Sequence, residues 1–180
     1  MQRQPPPVHD DRQAIFLKLA TEHARFLYRV AWSVLRHAED AEDCVQEAFL
    51  KLYRGESWRQ MINERAFLGS VVWRLAIDRR STRGPAFEEG AELQIVDARP
   101  TPESTAADSD ERALLRELIG ELPEELRDTL RLSAVEELNS REIGELMGVP
   151  EGTVRTRLMR ARAELQERWA ARRDETVSSR

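Results

Sequence analysis

The chain has 180 residues, of which 41% are hydrophobic and 34% are charged, and its formal net charge is −5. This content is enough for packed cores, but no apolar run approaches the roughly 20 residues that span a bilayer and the start is rich in proline, so a cytoplasmic protein without membrane insertion is expected. The single cysteine, Cys44, excludes an internal disulfide, and the three histidines lack zinc-ligand spacing, so neither a metal site nor a cofactor is expected.

The first half of the chain is predicted to be helical from about residue 11 to residue 80, after a disordered N-terminus at 1–10. Apolar residues recur every three or four positions near its start, and no strand-like alternation interrupts them. Further helices are predicted near 39–54 and 64–80, each with one apolar side. Cys44 falls within the first of these two and is expected to be buried. The pattern predicts a small helical bundle.

The segment 81–109 is predicted to be a flexible linker, because it cannot bury enough apolar area to offset the entropy of ordering. Its turn-forming residues are Gly84, Pro85, Gly90, Pro100 and Pro102. The helical pattern resumes over 110–173, and 174–180 is predicted to be a disordered tail. The sequence therefore predicts an all-α fold of two small helical domains, at 11–80 and 110–173, joined by an acidic linker.

The second domain contains a predicted helix-turn-helix over residues 139–162. Asn139 is placed as an N-cap, and Glu142, three residues later, can complete a capping box. Gly148 stands where a left-handed residue would end the first helix, and Pro150 opens the second. The predicted buried side of that second helix is formed by Val154, Leu158, Ala161 and Leu165.

The opposite side of the second helix carries arginine and threonine. Arginine suits both phosphate oxygens and the acceptor edge of guanine, so this helix is predicted to read DNA. The alternative is an arginine-rich helix that faces only solvent.

The charge distribution is compatible with a nucleic-acid partner despite the negative total. Seven arginines accompany two glutamates between residues 155 and 173, and six accompany two acidic residues between 59 and 83. Between 86 and 125, twelve acidic residues accompany three arginines. Two basic segments are therefore separated by an acidic connector.

Two separated motifs resemble those of one known family. They are AEDAEDCVQEAFL at residues 38–50 and GTVRTRLMRAR at residues 152–162. In this order, on either side of an acidic linker, they resemble the extracytoplasmic-function sigma factors, the small two-domain group of bacterial transcription initiation factors. The resemblance covers about residues 11–170. It implies a non-enzymatic protein that binds core RNA polymerase, opens the minus-ten promoter element through its first domain and reads the minus-thirty-five element through its second.

The resemblance assigns a polymerase-docking set to the first motif. The residues that match the segment docking on the polymerase clamp helices are Asp40, Asp43, Gln46, Glu47 and Phe49. Carboxylates at positions i, i+3 and i+7 offer acceptors to a basic partner helix, and the phenylalanine offers an apolar anchor. The alternative for these charges is a solvated acidic face.

The helix that approaches the melted minus-ten strand is matched by residues 65–80. Its candidates for DNA contact are Trp73, Arg74, Asp78, Arg79 and Arg80. Family members commonly carry tryptophan at Phe67 and an Arg-Asn pair at Trp73 and Arg74, so the minus-ten preference of this chain stays open. Trp73 and Arg74 can instead supply stacking and a phosphate contact, with core packing as an equal alternative for Trp73. The preceding loop, about 55–63, is expected to hold a flipped base.

In the second domain the resemblance assigns the minus-thirty-five contacts. Arg155, Arg157 and Arg160 are the candidates for base edges and phosphates, Thr153 and Thr156 for supporting contacts, and Arg141 for the DNA backbone. Family members usually carry serine at Thr156 and alanine at Gly144. Glycine inside a helix costs about 1 kcal/mol relative to alanine, so the first helix of the motif is expected to be weakened.

Two other classes of protein compete with this interpretation. A conventional helix-turn-helix regulator would bind duplex DNA without polymerase. That model leaves the acidic motif at 38–50 and the basic segment at 59–83 unexplained. A helical-bundle metal enzyme would need a Glu-x-x-His pattern, which is absent at His23 and His37. No sensor domain is evident, which makes an anti-sigma factor a further candidate partner.

Overall fold

The computed structural model describes the backbone of residues 8–55, 61–83, 106–135 and 138–178. Helices are the only regular secondary structure among the described residues: α1 (Val8–Leu35), α2 (Ala38–Gly55), α3 (Glu64–Arg83), α4 (Ala106–Gly120), α5 (Glu124–Ser133), α6 (Ser140–Met147) and α7 (Glu151–Ser178). The all-α prediction is therefore confirmed. Among these helices, none is both long enough and apolar enough to cross a membrane.

Several helices extend beyond the predicted limits. Helix α1 begins at Val8 and α7 continues to Ser178, so both reach into segments that were expected to be disordered. Helix α3 runs to Arg83 and α4 begins at Ala106, both inside the predicted linker. No proline or glycine interrupts residues 8–35 or 153–178, which allows these helices to propagate. The rest of that linker, 84–105, lies outside the described residues.

Helices α1, α2 and α3 form the first unit, a three-helix bundle with a continuous apolar interior. Among its fully buried side chains are Leu27, Val30, Leu68 and Val72. Cys44 is buried as predicted, and its thiol lies 3.7 Å from the carbonyl oxygen of Val72. Burial raises the pKa of the Cys44 thiol to about 11, so it remains a neutral, apolar group at neutral pH.

Helices α4 to α7 form the second unit, in which α5 and α6 both pack on the long helix α7. Ile143 and Leu146 from α6 are buried, as are Val154, Leu158 and Ala161 from α7. The three buried α7 residues are among the four that the helical spacing predicted, and the fourth, Leu165, is partly buried, so the helix-turn-helix pattern is confirmed at the level of packing.

The two units contact each other directly. Helix α3 packs against α6, α1 packs against α5, and one apolar cluster includes buried residues from both units. A Cβ atom at Gly69 on α3 would lie only 3.0 Å from a methyl carbon of Leu146 on α6. The sequence predicted two domains without predicting that they pack together, because the residues that join them are far apart in the chain.

Candidate polymerase and nucleic-acid interfaces

Helix α2 does not present the five docking candidates equally. Asp43 and Gln46 are exposed, whereas Glu47 and Phe49 are half-buried. Asp40 is only 4% exposed. The accessible part of the predicted docking set is therefore centred on Asp43 and Gln46.

Asp40 is held at the start of α2. Its carboxylate Oδ2 lies 3.0 Å from Nδ1 of His37, and its backbone carbonyl accepts a hydrogen bond of 3.1 Å from Nη1 of Arg79 on α3. A carboxylate in the first turn is also favoured by the helix dipole. In this arrangement Asp40 ties α2 to its neighbours and does not offer its carboxylate to a partner helix, which differs from the expectation based on spacing.

Glu47 and Phe49 are joined to other side chains of the first unit. The Glu47 carboxylate accepts hydrogen bonds from Lys51, at 2.7 Å, and from Arg79, at 3.1 Å. The bond from Lys51 is the main reason why the pKa of Glu47 lies below its usual value. The Phe49 ring packs edge-on against Phe16 of α1, with 5.8 Å between ring centroids. Glu47 therefore stays ionised and faces α3, whereas Phe49 faces α1.

Exposed apolar side chains that helical spacing did not single out lie on both helices of this contact. Tyr53 also packs against Phe16, at 5.1 Å between centroids, and Leu50 on the same helix is exposed. Helix α1 adds Ile15 and Leu17, both at least half exposed. The exposure of these side chains depends on how α1 and α2 pack, which helical spacing alone does not determine.

Helix α3 buries some of the candidates for minus-ten contact. Trp73 is only 6% exposed and belongs to the apolar core, which agrees with the packing alternative. Arg74 and Asp78 are exposed. The Arg74 guanidinium bonds back to Ser70, with Nε 3.1 Å from its carbonyl oxygen and Nη2 3.3 Å from its hydroxyl. The Arg74 guanidinium is thus a solvent-facing positive charge on α3.

Arg80 is occupied by the second unit. Its guanidinium donates two hydrogen bonds of 2.8 Å to the carboxylate of Asp128 and one of 2.5 Å to Glu124, both on α5. The Arg80 side chain is 14% exposed and that of Asp128 is 5% exposed. The hydrogen bonds to Asp128 are the largest cause of a raised pKa at Arg80, so the cation is retained. These partners lie 48 and 44 residues away, which is why the sequence did not identify them.

The loop predicted to hold a flipped base is only partly described. Residues 56–60, the middle of this predicted pocket, lie outside the described residues. Ile62 is fully exposed, and Asn63 accepts a hydrogen bond of 3.2 Å from the backbone N–H of Ala66, which caps the start of α3. The described end of the loop therefore fixes where α3 begins.

The helix-turn-helix is built as its sequence predicted. The Asn139 side chain accepts from the backbone N–H groups of Arg141, at 3.0 Å, and Glu142, at 3.1 Å, while Glu142 accepts from the Asn139 N–H at 2.9 Å. The capping box is therefore confirmed. Gly148 has φ 71°, the left-handed conformation predicted for the end of α6.

Gly144 has a role in this turn that its helix propensity did not reveal. A Cβ atom there would lie 2.7 Å from the carbonyl oxygen of Val149. The carbonyl of Gly144 in turn accepts a 3.0 Å hydrogen bond from the Val149 N–H. The absence of a side chain at Gly144 thus permits the turn to close tightly against α6. This role is separate from the low helix propensity of glycine.

Helix α7 exposes part of the predicted recognition set. Arg155, Thr156 and Arg160 are exposed, Thr153 is half-buried, and Arg155 is paired with Glu151 one turn earlier. Met159, which is 65% exposed, lies on this face and was not identified from the sequence. The exposed face therefore combines positive charge, one hydroxyl and one flexible apolar side chain.

Two of the predicted arginines in this unit differ in accessibility. The Arg157 side chain is 18% exposed and donates a 3.0 Å hydrogen bond to Glu125 on α5. Arg141 on α6 is 77% exposed and pairs with Glu145 at 3.1 Å. An exposed pair of this kind is weak, so Arg141 can exchange its partner readily, whereas the Arg157 side chain is itself largely shielded from solvent.

Comparison with known families agrees with these elements. A model described as Sigma-70 region 2 matches residues 19–85, and one described as Sigma-70, region 4 matches residues 112–165. The first match contains α2 and α3, and the second contains α5 and α6. Both regions of the family are thus present in the expected order.

Characterised relatives cover most of the chain. The ECF RNA polymerase sigma-E factor of Escherichia coli K12 is 32% identical over 158 residues, covering 77% of this chain and 79% of the relative. SigW of Bacillus subtilis is 29% identical over 152 residues, covering 78% of this chain and 81% of the relative. SigE of Mycolicibacterium smegmatis is 33% identical over 90% of this chain, which spans 64% of that relative's length.

Two solved structures share the fold. CnrH in complex with the cytosolic domain of CnrY gives a TM-score of 0.59 at 22% identity, covering 88% of this chain and 90% of that one. The sigma factor RpoE in complex with the anti-sigma factor NepR from Bartonella quintana gives a TM-score of 0.56 at 23% identity, covering 89% of this chain and 96% of that one. Together with the sequence matches, these findings establish that the chain belongs to the extracytoplasmic-function family of RNA polymerase sigma factors.

Proposed function

We propose that this chain binds core RNA polymerase and directs it to promoters, with the first unit at the minus-ten element and the second at the minus-thirty-five element. The observation that carries the proposal is the presence of both sigma-70 regions, in order, within one chain. The proposed functional domains are residues 11–80 and 110–173, with 81–109 as their connector. The chain is proposed to act in the cytoplasm. It is proposed to have no catalytic activity of its own, because the polymerase carries out RNA synthesis.

The proposed polymerase-docking surface lies on α2. Asp43 and Gln46 are exposed on this helix, whereas Glu47 is ionised on its α3 side and Phe49 packs on α1. A basic partner helix would find carboxylate acceptors and an aromatic anchor on the same helix, which are two kinds of contact that binding hot spots use. Asp40 is proposed to contribute indirectly, by fixing the start of α2.

The proposed DNA contacts lie on α3 and α7. Arg74 and Asp78 are accessible on α3, with Arg79 and Arg80 as further contacts once they leave their present partners. On the helix-turn-helix, the accessible contacts are Arg141, Arg155, Thr156 and Arg160, supported by Thr153 and Arg157. A bidentate arginine contact to guanine is worth about 1–3 kcal/mol of discrimination, so a few such residues suffice for promoter choice.

An anti-sigma factor is a further proposed partner. The fold match to RpoE in its complex with NepR supports this proposal, because the two chains share the arrangement of helices over most of their lengths.

The docking proposal is tested by co-elution with core RNA polymerase on a sizing column. The wild-type chain is expected to form a stoichiometric complex, and Asp43→Arg is expected to abolish it because the exposed carboxylate becomes a cation facing a basic partner. Glu167→Arg is the matched control, since it makes the same charge change at an exposed position on α7. Circular dichroism should show unchanged helix content for both variants.

Two results would count against this proposal. Unchanged polymerase binding by Asp43→Arg would show that α2 is not the docking surface. A wild-type chain that ignores core polymerase but binds duplex DNA by itself would favour a conventional regulator.

A further inference from the structure

The acidic side of α5 holds arginines that belong to both proposed DNA-contacting helices. Asp128 and Glu124 bind Arg80 of α3, and Glu125 binds Arg157 of α7. Carboxylates in this position offer the guanidinium groups the same kind of oxygen acceptors that DNA phosphates would offer. The arginines cannot make both sets of contacts at once.

The bond between Arg80 and Asp128 also joins the two units. It is bidentate, both distances are 2.8 Å, and both side chains are largely shielded from water. Around it, α3 packs on α6 and α1 packs on α5. A buried ion pair adds modestly to stability while intact, but removal of one partner is costly because the other charge is left uncompensated. The pair is therefore suited to hold one specific arrangement.

The observed arrangement is incompatible with simultaneous contact to both promoter elements. Positions −10 and −35 are about 25 base pairs apart, which is roughly 85 Å along B-form DNA at 3.4 Å per pair. In this structure α3 and α6 touch each other. The 22 residues at 84–105 can span at most about 70–80 Å when extended, which together with the size of the units is enough to bridge the two elements. The units must therefore separate when both elements are bound.

We propose that Arg80, Asp128 and Glu124 form a latch that keeps the two units together in the free chain, and that the acidic side of α5 competes with DNA for Arg80 and Arg157. The proposal rests on the proposed function, because the competition matters only if these helices contact DNA. The closed chain has low affinity for DNA, and separation of the units exposes the α3 surface and releases Arg80.

The latch is tested in the full-length chain by small-angle X-ray scattering. A compact chain of this length has a radius of gyration of about 16 Å, whereas two separated units give a clearly larger value. Asp128→Asn keeps the side chain's size but removes its charge, and loss of a buried partner shifts an equilibrium by roughly a hundredfold or more. The radius of gyration is therefore expected to rise by about half.

Two further variants separate the latch from general damage. Glu124→Gln removes the more exposed carboxylate of the latch and is expected to shift the radius in the same direction by a smaller amount. Glu117→Gln is the matched control, because it removes a carboxylate that pairs with Arg172 at 3.0 Å within the second unit. It is expected to leave the radius unchanged. Helix content measured by circular dichroism identifies a variant that has unfolded.

The competition is tested by fluorescence anisotropy with a labelled DNA duplex of arbitrary sequence and no polymerase. Asp128→Asn is expected to bind at least tenfold more tightly than the wild type, with a steeper dependence on salt because an additional arginine reaches phosphate. Glu117→Gln is expected to bind like the wild type.

Two results would overturn the proposal. If Asp128→Asn keeps the wild-type radius of gyration, the ion pair does not hold the units together. If the radius rises without tighter DNA binding, α5 does not compete with DNA. Neither measurement contains polymerase, so a wild-type chain that failed to bind core polymerase would overturn the proposed function and leave the latch standing.

Discussion

Gly144 gives a quantitative test of how the helix-turn-helix is built. The Cβ atom of alanine at this position would lie 2.7 Å from the carbonyl oxygen of Val149, a backbone atom that cannot rotate away. Ordinary carbon–oxygen contacts are about 3.3–3.6 Å, so the turn would have to move by roughly 0.6 Å or more. Crowding of this kind costs about 1–3 kcal/mol.

The control for Gly144→Ala is Gly152→Ala, because a Cβ atom at Gly152 meets nothing within 4 Å. Both changes replace a helical glycine by alanine and gain up to about 1 kcal/mol of helix propensity. The difference between the two variants therefore isolates the crowding cost. We expect Gly144→Ala to have a free energy of unfolding lower than that of Gly152→Ala by about 1–3 kcal/mol.

Denaturant unfolding followed by circular dichroism measures this difference, and thermal unfolding checks it. For a chain of this size each kcal/mol corresponds to about 2–4 °C in melting temperature. Equal free energies of unfolding for the two variants would refute the assignment of Gly144 to a sterically closed turn.

The remaining predictions concern the turn, the recognition helix and the core. Gly148→Ala should lower the free energy of unfolding by about 1 kcal/mol, measured in denaturant, because the residue has φ 71°. Arg157→Ala should reduce transcription from a cognate promoter by about 5- to 150-fold without changing polymerase binding, and unaffected transcription would mean that the recognition face is misassigned. Burial holds the pKa of the Cys44 thiol at about 11, so a thiol reagent at pH 8 should label Cys44 slowly in the native chain and rapidly in denaturant. Rapid labelling of the native chain would contradict that burial.

Features encoded by neighbouring residues could be predicted from the sequence. The capping box at Asn139 and Glu142 and the left-handed Gly148 depend on residues within one or two helical turns, and the structure contains all three. The buried side of α7 follows from spacing alone, because a helix repeats every 3.6 residues. These local rules were sufficient to locate the helix-turn-helix.

Features that depend on the approach of distant segments could not be predicted. Nothing local distinguishes Arg80 from Arg74, yet Arg80 is enclosed by two carboxylates of α5 while Arg74 remains exposed. Asp40 continues the acidic pattern of Asp43, but its place at the start of α2 buries it. Spacing along a helix predicts which side chains share a face, and only the packed neighbours decide which of them stay accessible.

Reconstituted transcription tests whether this chain directs transcription initiation. Core RNA polymerase is incubated with a pool of bacterial promoter fragments, with and without the purified chain, and the transcripts are mapped at their starts. We expect transcripts that require the chain and begin at defined positions downstream of shared minus-ten and minus-thirty-five sequences. A chain that co-elutes with core polymerase but yields no chain-dependent transcript from any fragment would contradict this expectation.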